Sequence, residues 1–221
     1  MLHLYVLTEH PAQLVDMTGI EDSVLRVVEV TPAVDAVVGD VSIAEGQPGE
    51  AAILAHAAVV EELAGANEAL LPARFSRGYP SDDALGEAIA EREPRISRAL
   101  DRVRGCVEIG LRVFDDAPAT DRRAEGSGRA YMQSRLEEVR RAEQTAAELH
   151  DALAAAARES VSRVLATPQL LLSAAYLVPR SGVEPFQRAV GGAERDRPSL
   201  TFVCTGPWPA YSFAMIDTEQ A

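Results

Sequence analysis

The sequence predicts an α+β chain of two small α/β sandwich domains, residues 1–104 and 105–221, with a long helix in the second and an extended strap at the C-terminus. Three observations lead there. Short apolar or alternating stretches recur between longer stretches whose apolar residues fall at steps of three and four. The two kinds of stretch are mixed along both halves, as in α+β layers. The 221 residues, 47% of them hydrophobic, suffice for one large domain or two small ones.

The first strand is expected at Leu2–Leu7, followed by a loop with a helical turn through Pro11 and Gly19. Val24–Val30 and Ala36–Ile43 flank a Thr31-Pro32 turn and form a hairpin. After a Gly46–Gly49 loop, Glu50–Gly65 is a helix with Ile53, Ala57, Val60 and Ala64 along one side. Ala69–Phe75, apolar with one proline, fits an edge strand. Ser81 or Asp82 caps the next helix, whose period runs through Leu85, Ile89, Ile96, Leu100 and Val103. Pro94 either kinks it or divides it into two helices abutting at Glu93.

Gly105 ends that run, and GCVEIGLRVF (Gly105–Phe114) alternates, with Val107, Ile109, Leu111 and Val113 on one face. Asp115–Gly128 reads as a loop. Arg129 to Leu165 reads as one amphipathic helix, striped by Met132, Leu136, Val139, Ala146, Leu149, Leu153, Ala157, Val161 and Val164. Its length would be about 55 Å at 1.5 Å per residue. Pro168 stops it, and Leu170–Val178 is a buried strand. Val183–Val190 is a short helix, Gly191–Pro198 a polar turn and SLTFVC the last strand. This mixed order, with helices on one face, suggests ferredoxin-like sandwiches; no sequence repeat relates the halves.

The formal net charge of −13 disfavours nucleic acid as a partner, because a phosphate backbone is repelled by an acidic surface. Every basic residue is Arg, which removes Schiff-base and P-loop lysine chemistry. Two cysteines, Cys106 and Cys204, are too few for a disulfide framework, and both read as buried thiols of a reducing cytosol, though neighbouring strands could bring them together. MLHLYVLTEH has neither the basic region nor the long apolar run of a secretory leader, and no membrane span is expected.

Catalytic constellations are not found. His3, His10, His56 and His150 show no metal spacing, and His56 and His150 read as surface or interhelix residues. There is no G-x-S-x-G, and the GSG at Gly126–Gly128 follows no strand. Glu108 lies on the polar side of its strand and reads as solvated. Neither an enzyme nor a cofactor is expected. One feature stands apart from this plain pattern. TGPWPAYSF, Thr205–Phe213, holds the only tryptophan in a chain that is 5% aromatic.

Five stretches resemble, in order and over nearly the whole chain, the gas vesicle protein F/L family. They are HAAVVEEL (His56–Leu63), LLPARF (Leu70–Phe75), GCVEIGLRVF, AAYLVPRSGVEPFQRAV (Ala174–Val190) and TGPWPAYSF. LPxRF and TGPWPxYSF are the specific motifs. Ser76-Arg77-Gly78 after the first, and Ala210 in the second, depart from the usual pattern. The resemblance implies a cytoplasmic accessory or minor structural protein of gas vesicle assembly, with two α/β domains. Its implied partners are the hydrophobic shell subunit, whose polymerisation it would support, and other gas vesicle accessory proteins. A different class, a ferredoxin-like sensor binding a small molecule, would instead show a specific stabilising ligand. Candidate strap or partner-binding residues are Pro207, Trp208, Pro209, Tyr211, Phe213, Arg74 and Phe75. Either the aromatic residues pack inward while the prolines hold the chain extended, or Trp208 and Tyr211 face out as anchors.

Overall fold

The computed structural model describes residues 1–42, 49–75, 78–115, 128–163 and 170–214. Most of the loops expected at Gly46–Gly49 and Asp115–Gly128, together with Ile43, Val164 and Pro168, lie outside them. Two packed units are distinguished, one of Met1–Val107 with the chain from Trp208 onward, the other of Glu108–Pro207. The closing segment, expected with the second domain, thus groups with the first.

The first unit contains β1 (Leu2–Glu9), a 3-10 turn at Ile20–Asp22, β2 (Leu25–Thr31), β3 (Val34–Asp40), α1 (Glu50–Ala66), β4 (Leu70–Pro72), β5 (Gly78–Tyr79), α2 (Asp82–Ala90) and α3 (Glu93–Val103). β2 and β3 form the expected antiparallel hairpin, and the sheet runs β2-β3-β1-β4, with β5 also on β1. β4 stands at the end of that order, where Pro72 costs no ladder bond. β1 buries seven successive residues and β3 six. Both faces of these strands are therefore covered, and the expected one-sided layering fails for this sheet. Pro94 falls in the first turn of α3, where its missing N–H has no intrahelical partner to lose, so two helices abut rather than one bending. Ser81 is the cap of α2, accepting from the Ala84 N–H at 3.2 Å. Asp82 behind it holds Arg26 of β2 in two bonds of 2.9 and 2.7 Å.

The buried side of α1 differs from the expected stripe. His56, Val59, Val60 and Leu63 face the core, while Ile53 is exposed. Beyond the helix Asn67 acts as a buried junction. Its Oδ1 accepts from the Gln13 N–H, and its amide donates to the Gln13 and Leu63 carbonyls at 3.0 and 2.9 Å.

The second unit contains most of β6 (Cys106–Asp115), then α4 (Gly128–Ala154), β7 (Glu159–Arg163), β8 (Leu170–Pro179), α5 (Val183–Arg195) and β9 (Leu200–Trp208). The sheet order is β7-β8-β6-β9. Here α4 and α5 cover the same face of the sheet. Ile109, Leu111 and Val113 of β6 meet Leu172, Ala174, Tyr176 and Val178 of β8 beneath Ala146, Leu149 and Leu153 of α4 and Phe186 and Val190 of α5.

Three expectations are corrected in this unit. The helix expected to Leu165 ends at Ala154, and Glu159–Arg163 is a strand pairing antiparallel with β8, Glu159 opposite Leu177 and Arg163 opposite Ser173. No Gly or Pro marks that end. The Arg158 N–H donates to the Leu177 carbonyl at 2.8 Å, so pairing with a distant strand overrides the helical pattern. α5 runs to Arg195 through Gly191 and Gly192, and β9 continues to Trp208. With β7 restored, the unit reads βαββαβ. Both sheets then place their four principal strands, numbered along the chain, in the order 4-1-3-2.

Candidate functional site

Two groups of side chains concern function, both in the first unit except for Pro207. The first is a ring cluster between β1 and α1. Burial places His3 at 3% and His56 at 4% exposure, so the surface reading of His56 is corrected. His56 Nε2 lies 3.1 Å from the Ala73 carbonyl, which can only accept, so that nitrogen carries a proton. The neutral ring then offers Nδ1 as an acceptor, and His3 Nε2, 2.8 Å away, donates to it. Tyr5 stacks on His56 with centroids 5.4 Å apart, and Phe75 lies 5.5 Å from both imidazoles. The Tyr5 hydroxyl accepts from the Ile20 N–H at 2.8 Å. Burial, and secondarily the neighbouring His56, lowers the His3 pKa to about 4. Burial lowers that of His56 as well, against the raising effect of its bond to Ala73.

The cluster fastens LLPARF to HAAVVEEL. Phe75 is a half-buried packing residue, and Arg74 beside it is exposed. Sequence reasoning missed His3. The available signal was LHLYVL, too continuously apolar for a strand open to water on one side. For His56 the signal was its spacing of three, four and seven to Val59, Val60 and Leu63.

The second group is the C-terminal segment, which divides residue by residue. Pro209, Ala210 and Phe213 are buried, Phe213 to 2% exposure. Arg102 of α3 donates to the Phe213 carbonyl, and a tight turn closes through Tyr211 N–H to Pro209 O at 2.7 Å and Ala214 N–H to Ala210 O at 2.9 Å. Trp208 and Tyr211 stay 44% and 39% exposed, and Pro207 is exposed too. Inward packing thus describes Phe213 but not Trp208 or Tyr211. Tyr211 stands by α1, where partial burial and then the charge of Glu61 raise its pKa.

In the second unit His150 Nδ1 meets the Tyr176 hydroxyl at 3.1 Å. β6 and β9 are neighbours, but Cys106 is buried and Cys204 exposed, neither in a disulfide, so the expectation of two buried thiols holds only for the first. Among the described residues no group of three or more His, Cys, Asp or Glu could hold a metal ion, and no helix is long and apolar enough to cross a membrane. An open groove is lined by Glu184, Gln187, Arg188, Gly191 and Arg195, all on α5.

The two sheets, one built as βββαβ and the other as βαββαβ, share one strand order, and solved structures with this architecture exist. The chain is similar to the crystal structure of the gas vesicle protein GvpF from Anabaena sp. PCC7120, with a TM-score of 0.83 at 16% identity, over 100% of this chain and 98% of that one. It is similar also to GvpF from Microcystis aeruginosa, with a TM-score of 0.79 at 18% identity, over 97% and 99%. At such identities the likeness concerns the fold. The sequence itself matches the family model for gas vesicle synthesis protein GvpL/GvpF over residues 1–215. It is 32% identical to gas vesicle protein L of Streptomyces sp. (strain CB03234) over 75% of this chain and 70% of that protein. Identity to gas vesicle protein F2 of Halobacterium salinarum is 24%, over 99% and 96%. This chain belongs to the GvpL/GvpF family and is a protein of gas vesicle formation.

Proposed function

We propose that this protein binds the hydrophobic gas vesicle shell subunit in the cytoplasm and supports its polymerisation into the vesicle wall, alongside other gas vesicle accessory proteins. The observation that carries the reading is the pair Trp208 and Tyr211, held out to solvent by a segment whose Pro209, Ala210 and Phe213 are buried. Large amphipathic rings on a rigid base lose little conformational freedom on contact and are the residue types enriched at binding hot spots. The net charge of −13 keeps the carrier soluble while it holds an apolar partner. Pro207 and Pro209 stiffen the presenting chain, and Phe213 serves as its anchor. Phe75 supports the packing beneath α1, and Arg74 is a polar contact at its edge.

Co-purification of the tagged full-length chain with the shell subunit tests this. The double variant Trp208→Ala, Tyr211→Ala should keep its far-UV circular dichroism and lose association about tenfold or more. Undiminished association of that variant, or normal vesicles in a strain lacking the protein, would sink the reading.

A further inference from the structure

α1 and α4 each present an exposed stripe, and the two stripes match. On α1, Glu50, Leu54, Ala58 and Glu61 are exposed beside the half-buried Ala57, with Leu54 at 61% exposure. The helix contains Glu but no Arg. On α4, Arg129, Met132, Leu136 and Arg140 are exposed, Met132 and Leu136 at 67% and 51%. Among the described residues of α4, the first buried one is Ala146. Glu50 and Glu61 stand eleven residues apart, and so do Arg129 and Arg140. Eleven residues make three turns to within about 20° and span about 16 Å of helix. Each stripe is therefore an apolar centre bracketed by two like charges at the same spacing, acids on one helix and guanidinium groups on the other.

We propose that α1 of one copy docks against the first turns of α4 of a second copy, Leu54, Ala57 and Ala58 packing on Met132 and Leu136 while the two acids meet the two arginines. The occupant is a second copy because the complementary stripe, of opposite charge and equal spacing, lies on this chain. The contact joins two different surfaces, so it is heterologous. Each docked pair still leaves one α1 and one α4 free, so further copies can add head to tail. The net charge of −13 does not prevent it at physiological ionic strength, where screening acts over about 8 Å and the docked charges are closer than that. The inference needs no shell subunit and stands apart from the proposal above.

Sedimentation velocity of the purified full chain over a wide concentration series provides the test. The wild type is expected to form species that grow with concentration. Leu54→Glu and Leu136→Glu, both at exposed positions that the fold tolerates, should each weaken self-association about tenfold or more. Mixed in equal amounts, the two variants should form a one-to-one dimer and stop there, because the mixture holds one intact α1 and one intact α4 surface that can meet. A wild type that stays monomeric overturns the proposal. So does either variant associating as well as wild type, or a mixture that remains monomeric while both variants are folded by circular dichroism.

Discussion

The His3–His56 contact makes the first unit acid-sensitive in a defined window. A neutral His3 donates to a neutral His56 inside a ring cluster, and the His3 pKa falls to about 4 from an ordinary 6.5. As pH falls through 6.5 the unfolded chain takes up this proton and the fold does not. Stability from His3 is therefore complete above pH 6.5, erodes below it and is gone near pH 4, where the folded ring titrates too. The span from 6.5 to about 4, at about 1.36 kcal/mol per pH unit, corresponds to about 3 kcal/mol. About 2 kcal/mol of that is lost by pH 5. Urea unfolding at a series of pH values measures it. Trp208, the only tryptophan, belongs to the same packed unit as His3 and reports on it by fluorescence. His3→Leu is the reference, since titrations away from the cluster are shared and the difference between the two pH curves reports His3 together with its hydrogen-bonded partner His56. Coincident curves for wild type and His3→Leu between pH 7 and 4 would refute the reasoning, as would a wild type that gains stability relative to the variant on acidification.

Two further substitutions follow. Phe213→Ala, at a ring 2% exposed, should cost about 3–5 kcal/mol of first-unit stability in chemical denaturation, whereas Trp208→Ala at 44% exposure should stay within about 1 kcal/mol of wild type. A comparable loss from both would mean that the tryptophan packs inward after all. Asn67→Ala leaves buried backbone groups of Gln13 and Leu63 short of partners, and a loss of at least about 2 kcal/mol is expected, read from the denaturation midpoint at constant slope.

Much of the fold is legible in local pattern. The alternation of Val107, Ile109, Leu111 and Val113 names the buried side of β6, and all four are buried. The hairpin of β2 and β3, the Ser81 cap and the helix break before Pro94 rest on neighbours a few residues away, where backbone sterics and local hydrogen bonds act. So does the family, since LPxRF and TGPWPxYSF are short strings that are recognisable as written. The segment Ala155–Arg163 is where local reading fails. Its apolar spacing suits a helix and no Gly or Pro interrupts it, yet five of its residues pair with β8. A helical period is a weak preference, summed over few residues, while an open sheet edge supplies a ladder of backbone bonds that the local sequence does not encode.

By itself the sequence determined the α+β class, the acidic and lysine-free surface, most element starts and the family. Only the tertiary structure decided that His3 and His56, 53 residues apart, share one buried hydrogen bond. It also decided that β7 completes the βαββαβ pattern of the second unit, and that the closing motif splits into a buried Phe213 and an exposed Trp208 and Tyr211. The reason is common to all three. Burial belongs to the surfaces that meet, and those surfaces come from chain segments brought together by sheet pairing and core packing. The strand order 4-1-3-2 accordingly repeats in the two units although their sequences show no repeat, because the order is held by backbone pairing and by apolar character, which many different residues supply.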